Sequence, residues 1–337
     1  MNTGENANRL LGLFKSLDNP PFFLYRTCHY LNWFVPRGLA SYIYKRNKKE
    51  YESEGVVDYL LGTYDGSGQT VHPDIAFYKG KYWLTVTPYP YGMEEYENPC
   101  IYTGDSLSKL SIPEGPIVVQ HRHAQGVHLS DPCLAVDGEH FFCYYRESER
   151  KGNVEENSIW GIRYNELNKK WGEPVLIMNS LNDKLLSPAM VFMASGVCNM
   201  FYVSTLNNNY SLVSRSLMDT TTDIVVHQII GMPDDYVLWH IGISKKKDVF
   251  PNAIDSCELL GLFLAKAKKN HRDMKLFEAH NNGEGENWHI IKEIEVPEEI
   301  KYVIAFPYKS CFIPKESGAV LFSFRDKKSR NRLIIIG

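Results

Sequence analysis

A short β unit recurs along this chain, and the recurrence limits the folds that the chain can adopt. The clearest copy is VHPDIAFYKGKYWLTVTPYP, residues 71–90, in which a polar entry precedes an apolar strand, a Lys-Gly turn and an aromatic second strand. Later copies are marked by Asp131, Ser187, His240 and Ser310. Five similar units at intervals of roughly 50 to 70 residues predict an all-β fold, a five-bladed β-propeller with four-stranded blades.

The repeats divide the chain into two parts. Residues 1–55 lack the β unit and predict a helical, aromatic N-terminal extension with a charged linker. Residues 56–337 predict the propeller, and the last repeat has one strand too few. Because a propeller ring can be completed by a strand from the other end of the chain, we expect residues 56–61 to pair with residues 332–336.

Composition narrows the class of protein. A net charge of -3 gives no basis for nucleic-acid binding. The seven cysteines contain no CxxC pair and most lie in apolar strands, which indicates buried free thiols rather than disulfides or metal ligands. No secretory signal pattern and no long apolar run occur. Together these features predict a cytoplasmic location.

The segment 22–49 is aromatic and ends in basic residues. It has two interpretations: an extension that packs its apolar side on the propeller, or an amphipathic segment that lies on a membrane surface or contacts a partner protein. The histidine-rich stretch HRHAQGVH, with His121, His123 and His128, lacks a carboxylate at a supporting spacing. We therefore predict no metal ligand and no cofactor.

The innermost strand of each propeller blade starts near the central channel, so the entries of the five repeats should meet although they are far apart in sequence. Four acidic residues at or near the entries are candidate catalytic groups: Asp74, Asp131, Glu97 and Glu147. Eight residues are candidate ligand contacts: His72, Asn98, Arg146, Ser187, Trp239, His240, Tyr308 and Lys309. The alternative for the two aspartates is a strand-entry role, accepting hydrogen bonds from backbone amides.

The ordered motifs resemble a known family. HPD with KYWLTVTPYPYG and YENP, SDP with YYR, then LSPAMV, WHIGIS and YKS are similar to the five-bladed propellers related to glycoside hydrolase family 43 and its invertase and levansucrase relatives. The resemblance covers about residues 56–337. It implies an aspartate base or nucleophile on the first blade, an orienting aspartate on the second and a glutamate acid on the third. Asp74 and Asp131 match the first two positions, and Ser187 stands at the third.

Because Ser187 stands where the resemblance implies a glutamate acid, more than one function is predicted. Glycosidic cleavage needs one carboxylic acid and one carboxylate, and a serine hydroxyl is a poor proton donor. The first hypothesis is a glycoside hydrolase-like protein that acts on an oligo- or polysaccharide in the channel, with Asp74 and Asp131 as the acidic pair and Glu97 or Glu147 as the acid. The second is a non-hydrolytic glycan-binding propeller, in surface-glycan assembly or phage-type receptor binding. The third is a structural platform that works through the N-terminal extension.

Overall fold

The computed structural model describes residues 61–111, 116–118, 126–193, 197–217, 224–253, 257–282 and 286–337, with scattered positions between residues 23 and 59. Strands form five sheets, and the helices of residues 61–337 are short: α1 (Lys246–Val249), α2 (Glu298–Lys301) and a few 3-10 turns. The five-bladed β-propeller predicted from the repeats is confirmed.

Each sheet is a blade built from consecutive parts of the chain. The first blade contains β1 (Thr70–Tyr78), β2 (Lys81–Pro88) and β3 (Cys100–Gly104). The second contains β4 (Val127–Asp137), β5 (His140–Lys151), β6 (Val154–Asn165), β7 (Lys170–Trp171) and β8 (Val175–Ser180). The third contains β9 (Leu186–Phe192), β10 (Cys198–Ser204), β11 (Ser211–Ser216) and β12 (Val225–Val226).

The fourth blade contains β13 (Gln228–Ile230), β14 (Tyr236–Lys245), β15 (Leu259–Ala267), β16 (Met274–Asn281) and β17 (Asn287–Glu293), with β13 parallel to β17. The fifth contains β18 (Ile304–Pro307), β19 (Cys311–Phe312), β20 (Val320–Asp326) and β21 (Asn331–Ile336). β21 occupies one edge of β20, so β18 and β19 share the other edge as one interrupted inner strand.

The inner strands form a closed ring. β1 contacts β4, β4 contacts β9, β9 contacts β14, β14 contacts β19, and β19 returns to β1. Residues far apart in sequence therefore meet at the axis wherever the inner strands start at the same height.

Apolar side chains fill each of the five interfaces between neighbouring blades with a separate cluster. A strand buried on both faces reads as a continuous apolar run, and β15, with the sequence LLGLFLAKA, is buried along its whole length. Its side chains alternate, so Phe263 packs against the third blade while Leu262 and Leu264 pack against the fifth. Burial on both faces is what fixes each blade between its neighbours.

The contact between the two ends of the propeller is described in part. The backbone N–H of Tyr59 donates to the carbonyl of Leu333 at 2.7 Å, and Leu61 packs in the same apolar cluster as Leu333. Residues 56–58 and 60 lie outside the described residues, so the pairing of residues 56–61 with β21 stays a prediction, as do the domain bounds at residue 55.

Most of the N-terminal segment 22–49 also lies outside the described residues. Of its described side chains, Leu24, Cys28 and Ile43 pack against Tyr96, in the loop after β2. All seven cysteines are free, and only Cys257 among them is exposed. Across the described positions, helices are too short or too polar to cross a bilayer.

The last strand allows a direct test of interface packing. Leu333 is 3% exposed between the fifth and first blades, whereas Ile335, two residues on, is 46% exposed. We expect Leu333→Ala to lower the free energy of unfolding by about 2–5 kcal/mol, because it removes buried apolar contacts and leaves a cavity. Ile335→Ala is the matched control and should cost less than about 1 kcal/mol. Urea denaturation measures both, and equal losses would contradict the assigned interface.

Candidate functional site

Three inner strands share an irregularity near their start. β1, β4 and β9 each carry one extra residue relative to the partner strand, which defines a β-bulge. The bulged residues have a positive φ: 54° at His72, 51° at Asp131 and 51° at Ser187. A non-glycine residue in this conformation costs about 1–3 kcal/mol, and such residues concentrate at functional sites. A proline follows each of them.

The shared bulge decides which residues of the repeats are equivalent. His72 occupies the position that Asp131 and Ser187 occupy in the next two blades, whereas Asp74 is equivalent to Cys133. Alignment of the repeats on their X-Pro dipeptides gives this correspondence. The match of Asp74 with Asp131 that was expected from the sequence shifts the first repeat by two residues relative to this correspondence.

The fourth blade contributes in the same way. β14 has a bulge between Leu238 and His240, and this brings His240 beside the other three residues. Gly242 then allows a close approach to the fifth blade, because a Cβ at this position would lie 2.6 Å from the Ser310 carbonyl oxygen. We call His72, Asp131, Ser187 and His240 the polar ring.

Asp131 lies at the centre of the polar ring and is fully buried. Its Oδ1 is 3.5 Å from His72 Nε2 and 3.3 Å from His240 Nδ1. Ser187 Oγ donates to the same oxygen at 3.3 Å and also lies 2.5 Å from His240 Nδ1. Residues from the first, third and fourth blades therefore surround one carboxylate oxygen of Asp131, which belongs to the second blade.

Arg146 holds the other carboxylate oxygen. Its Nε donates to Asp131 Oδ2 at 3.1 Å, while Nη2 donates to Ser130 Oγ and Nη1 to Asn157 Oδ1, each at 2.9 Å. Burial alone would raise the pKa of Asp131, but the His72 and His240 rings and the guanidinium outweigh it and hold this pKa well below its ordinary value. Ser130 and Asn157 were absent from the predicted site, and Asn157 has no sequence signal of its own.

His72 is 3% exposed, and neither of its ring nitrogens has a hydrogen-bond partner among the described residues. Its Nδ1 faces Glu97 Oε1 at 4.0 Å, on the side opposite Asp131. Burial lowers the pKa of His72 well below its ordinary value, and burial likewise lowers that of His240.

The loop after β2 places two predicted residues at the same end of the channel. Glu97 is buried, and its Oε2 lies 3.8 Å from Nε2 of His128, whose pKa burial lowers to about 4. Asn98 donates from Nδ2 to the Val118 carbonyl oxygen at 2.7 Å, which ties the loop down. Glu97 and Asp131 thus lie on opposite sides of the His72 ring.

Aromatic and basic side chains border the polar ring. The Tyr308 ring lies 5.5 Å from that of His72 and 5.8 Å from that of His240, between centroids. One face of Trp239 is covered, because Lys266 Nζ stands 3.3 Å from its centroid. Lys309 is buried and donates to the Pro132 carbonyl oxygen at 3.3 Å.

Two of the predicted catalytic residues, Asp74 and Glu147, do not belong to the polar ring. Asp74 Oδ2 accepts a hydrogen bond from the Leu134 N–H at 2.6 Å, and burial raises the pKa of Asp74 to about 6. Asp74 lines a cavity of about 620 Å³ formed by the far ends of the inner strands. Glu147 follows Arg146 on β5, and its side chain shares the face of Tyr145, which packs toward the first blade.

The site also contains a set of metal-binding groups. His72, Asp131 and His240 each offer a ligand atom, and these atoms all lie within 4.8 Å of one another. In the histidine-rich stretch considered above, His121 and His123 lie outside the described residues.

Known proteins resemble this chain in structure only: no family model and no curated protein sequence matches it. A thermostable family-43 glycoside hydrolase superposes with a TM-score of 0.56 at 10% identity, over 79% of this chain and 88% of the other. A family-43 β-1,3-galactosidase, solved with galactodeoxynojirimycin, gives 0.54 at 11%, over 82% and 93%. Xylan β-1,4-xylosidase from Bacillus halodurans C-125 gives 0.59 at 11%, over 83% of this chain and 54% of the xylosidase.

The chain has the five-bladed fold of the family-43 glycoside hydrolases. At these identities the likeness concerns the fold alone, and the chain spans about half of the xylosidase's length. Within this five-bladed propeller, the polar ring brings together four residues of the predicted site: His72, Asp131, Ser187 and His240. Arg146 binds Asp131, and Glu97 and Tyr308 lie beside His72.

The buried ion pair gives a stability prediction. We expect Arg146→Leu to lower the free energy of unfolding by about 3–5 kcal/mol, because it leaves the Asp131 carboxylate buried without its charged partner. The control is Arg150→Leu on the same strand, where an exposed pair with Glu155 is worth less than about 1 kcal/mol. Adding Asp131→Leu to Arg146→Leu should recover much of the loss in urea denaturation, and an additive loss would contradict the pairing.

Proposed function

We propose that this protein recognises an oligo- or polysaccharide at the end of the channel where the polar ring lies. The observation that carries the proposal is the meeting of polar side chains from four blades beside the half-buried ring of Tyr308. Saccharides present hydroxyl groups at their rim and apolar C–H faces, and such a site offers hydrogen-bonding groups next to an aromatic face. The glycosidase-type fold supports the same class of ligand.

Recognition without cleavage is favoured by the charges of the ring. His72 and Ser187 stand at the positions equivalent to Asp131, so the bulges of the first three blades supply one carboxylate in all. That carboxylate is paired with Arg146 at 3.1 Å, which weakens it as a base. Hydrolysis by paired carboxylates needs two such groups, one of them protonated.

A second candidate is hydrolysis with Glu97 as one carboxyl group and Asp131 as the other. The supporting observation is their placement on opposite sides of the His72 ring, at 4.0 and 3.5 Å from its two nitrogens. Inverting enzymes keep their carboxyl groups about 6.5–9.5 Å apart, with room for a water between them. The pair of Asp74 and Asp131 stays a prediction, and Asp74 accepts a backbone hydrogen bond from Leu134 in the folded chain.

Binding tests the proposal first. We expect the protein to retain one or more members of a glycan array, and Tyr308→Ala to weaken that binding about tenfold, since it removes the aromatic face beside the polar ring. Tyr302→Ala is the matched control, because Tyr302 is 60% exposed on the same segment, and it should leave the affinity unchanged. Equal losses in the two variants, or an array with no retained glycan, would contradict the proposed site.

Turnover separates the candidates. For glycans that bind, we expect no release of reducing ends from the wild-type protein. Release that Glu97→Gln and Asp131→Asn each abolish, with binding intact, would replace the first candidate by the second. If Asp74→Asn and Asp131→Asn each abolish the release of reducing ends and Glu97→Gln does not, the catalytic pair is instead Asp74 and Asp131, as predicted from the sequence.

A further inference from the structure

We propose that His72, Asp131 and His240 form a binding site for one divalent transition-metal ion of the zinc class. No metal ligand was expected here from the sequence, and the proposed site is independent of saccharide binding. It rests on the donor set, the spacing of the donor atoms and the unsatisfied state of His72.

The donor set suits such an ion. Two imidazole nitrogens and one carboxylate oxygen are ligands that zinc and neighbouring metals accept, whereas magnesium and calcium prefer oxygen alone. Three protein ligands also leave a fourth position for water or for an oxygen of a ligand, the arrangement found in zinc sites that do chemistry. All three residues are less than 5% exposed, so the set is built into the channel rather than gathered on the surface.

The spacing suits it as well. Ligand bonds of about 2.0–2.1 Å in a tetrahedron place the ligand atoms about 3.3–3.4 Å from one another. Asp131 Oδ1 lies 3.5 Å from His72 Nε2 and 3.3 Å from His240 Nδ1. All three donor atoms fall within 4.8 Å, so an ion requires a small closing movement of the two rings and the release of His240 Nδ1 from its hydrogen bond with Ser187 Oγ.

The unsatisfied ring nitrogens of His72 support a metal site independently of the donor set and its spacing. Its nitrogens are buried and have no hydrogen-bond partner among the described residues, a condition that costs free energy unless a ligand satisfies them. A metal on Nε2 would satisfy that nitrogen. On the opposite side, Glu97 Oε1 is placed to accept from Nδ1–H after a shift from 4.0 Å, as carboxylates do behind metal-bound histidines.

Four further side chains lie near the proposed metal site, and each would affect a bound ion in a different way. Arg146 binds Asp131 Oδ2 and leaves Oδ1 for the ion. Ser187 Oγ touches both Asp131 Oδ1 and His240 Nδ1, so it stands where it can hydrogen-bond a fourth, water ligand. The positive charges of Arg146 and Lys309 oppose a dication and will limit its affinity, while Glu97 favours it.

The test uses the full chain, freed of metal with a chelator, in a Cys257→Ser background that removes the exposed thiol. Zn²⁺ is titrated by calorimetry, and Co²⁺ by its visible absorption, which reports tetrahedral nitrogen and oxygen ligation. We expect one equivalent of each metal, and a visible Co²⁺ band without thiolate charge transfer. His72→Gln and His240→Gln should each weaken Zn²⁺ binding by roughly 100-fold or more.

His280→Gln is the control, since this histidine is partly exposed and pairs with Glu278 at the rim of the fourth blade. It should leave stoichiometry and affinity unchanged. The Zn²⁺ affinity of Asp131→Asn is compared with that of the wild type only if the circular dichroism spectra of the two proteins match. If the spectra differ, the test uses the two histidine variants alone. Absence of saturable binding, or binding that both ring variants leave intact, would overturn the proposal. Glycan binding measured in chelator reports separately on the proposed function.

Discussion

One buried negative charge organises the centre of this propeller. Asp131 has no solvent to stabilise it, and a charge in that position must be met by a counter-charge and by hydrogen bonds. Arg146 supplies the counter-charge from the neighbouring strand, and Ser130 and Asn157 fix its guanidinium. His72, Ser187 and His240 reach the remaining oxygen from three other blades. The carboxylate therefore ties the blades together at the axis, while the apolar clusters join them further out.

The repeats place different side chains on one backbone device. A bulge near the start of the inner strand turns its residue into the left-handed region and toward the axis in the first three blades, and a related bulge acts in the fourth. The cost of this conformation recurs in each of the first three repeats, whereas the side chain differs: imidazole, carboxylate and hydroxyl stand at equivalent positions. The repeated bulge therefore positions the side chains of the site, and the differences between those side chains set its chemistry.

The two ends of the channel differ in character. The end with the polar ring is closely packed with titratable and aromatic groups. The other end opens into a cavity of about 620 Å³, to which Asp74 contributes beside apolar residues such as Met190 and Ile243. Only Pro73 separates His72 from Asp74 along β1, yet the alternation and bulge of that strand send their side chains to different surroundings. Lys309 acts electrostatically on both side chains, but His72 faces Asp131 whereas Asp74 accepts a hydrogen bond from the Leu134 N–H.

The fold class could be predicted from the sequence, because five apolar β units at a regular interval leave few other architectures. All four residues of the polar ring could be named as well, because the strand entries of a propeller converge. The register was fixed only by packing in three dimensions. A single extra residue in each of four inner strands moves a side chain to the other face, so His72 and not Asp74 became the equivalent of Asp131. Packing also placed Asn157 behind the Asp131–Arg146 pair. Such contacts join strands whose spacing in the chain carries no signal, since packing in three dimensions alone brings them together.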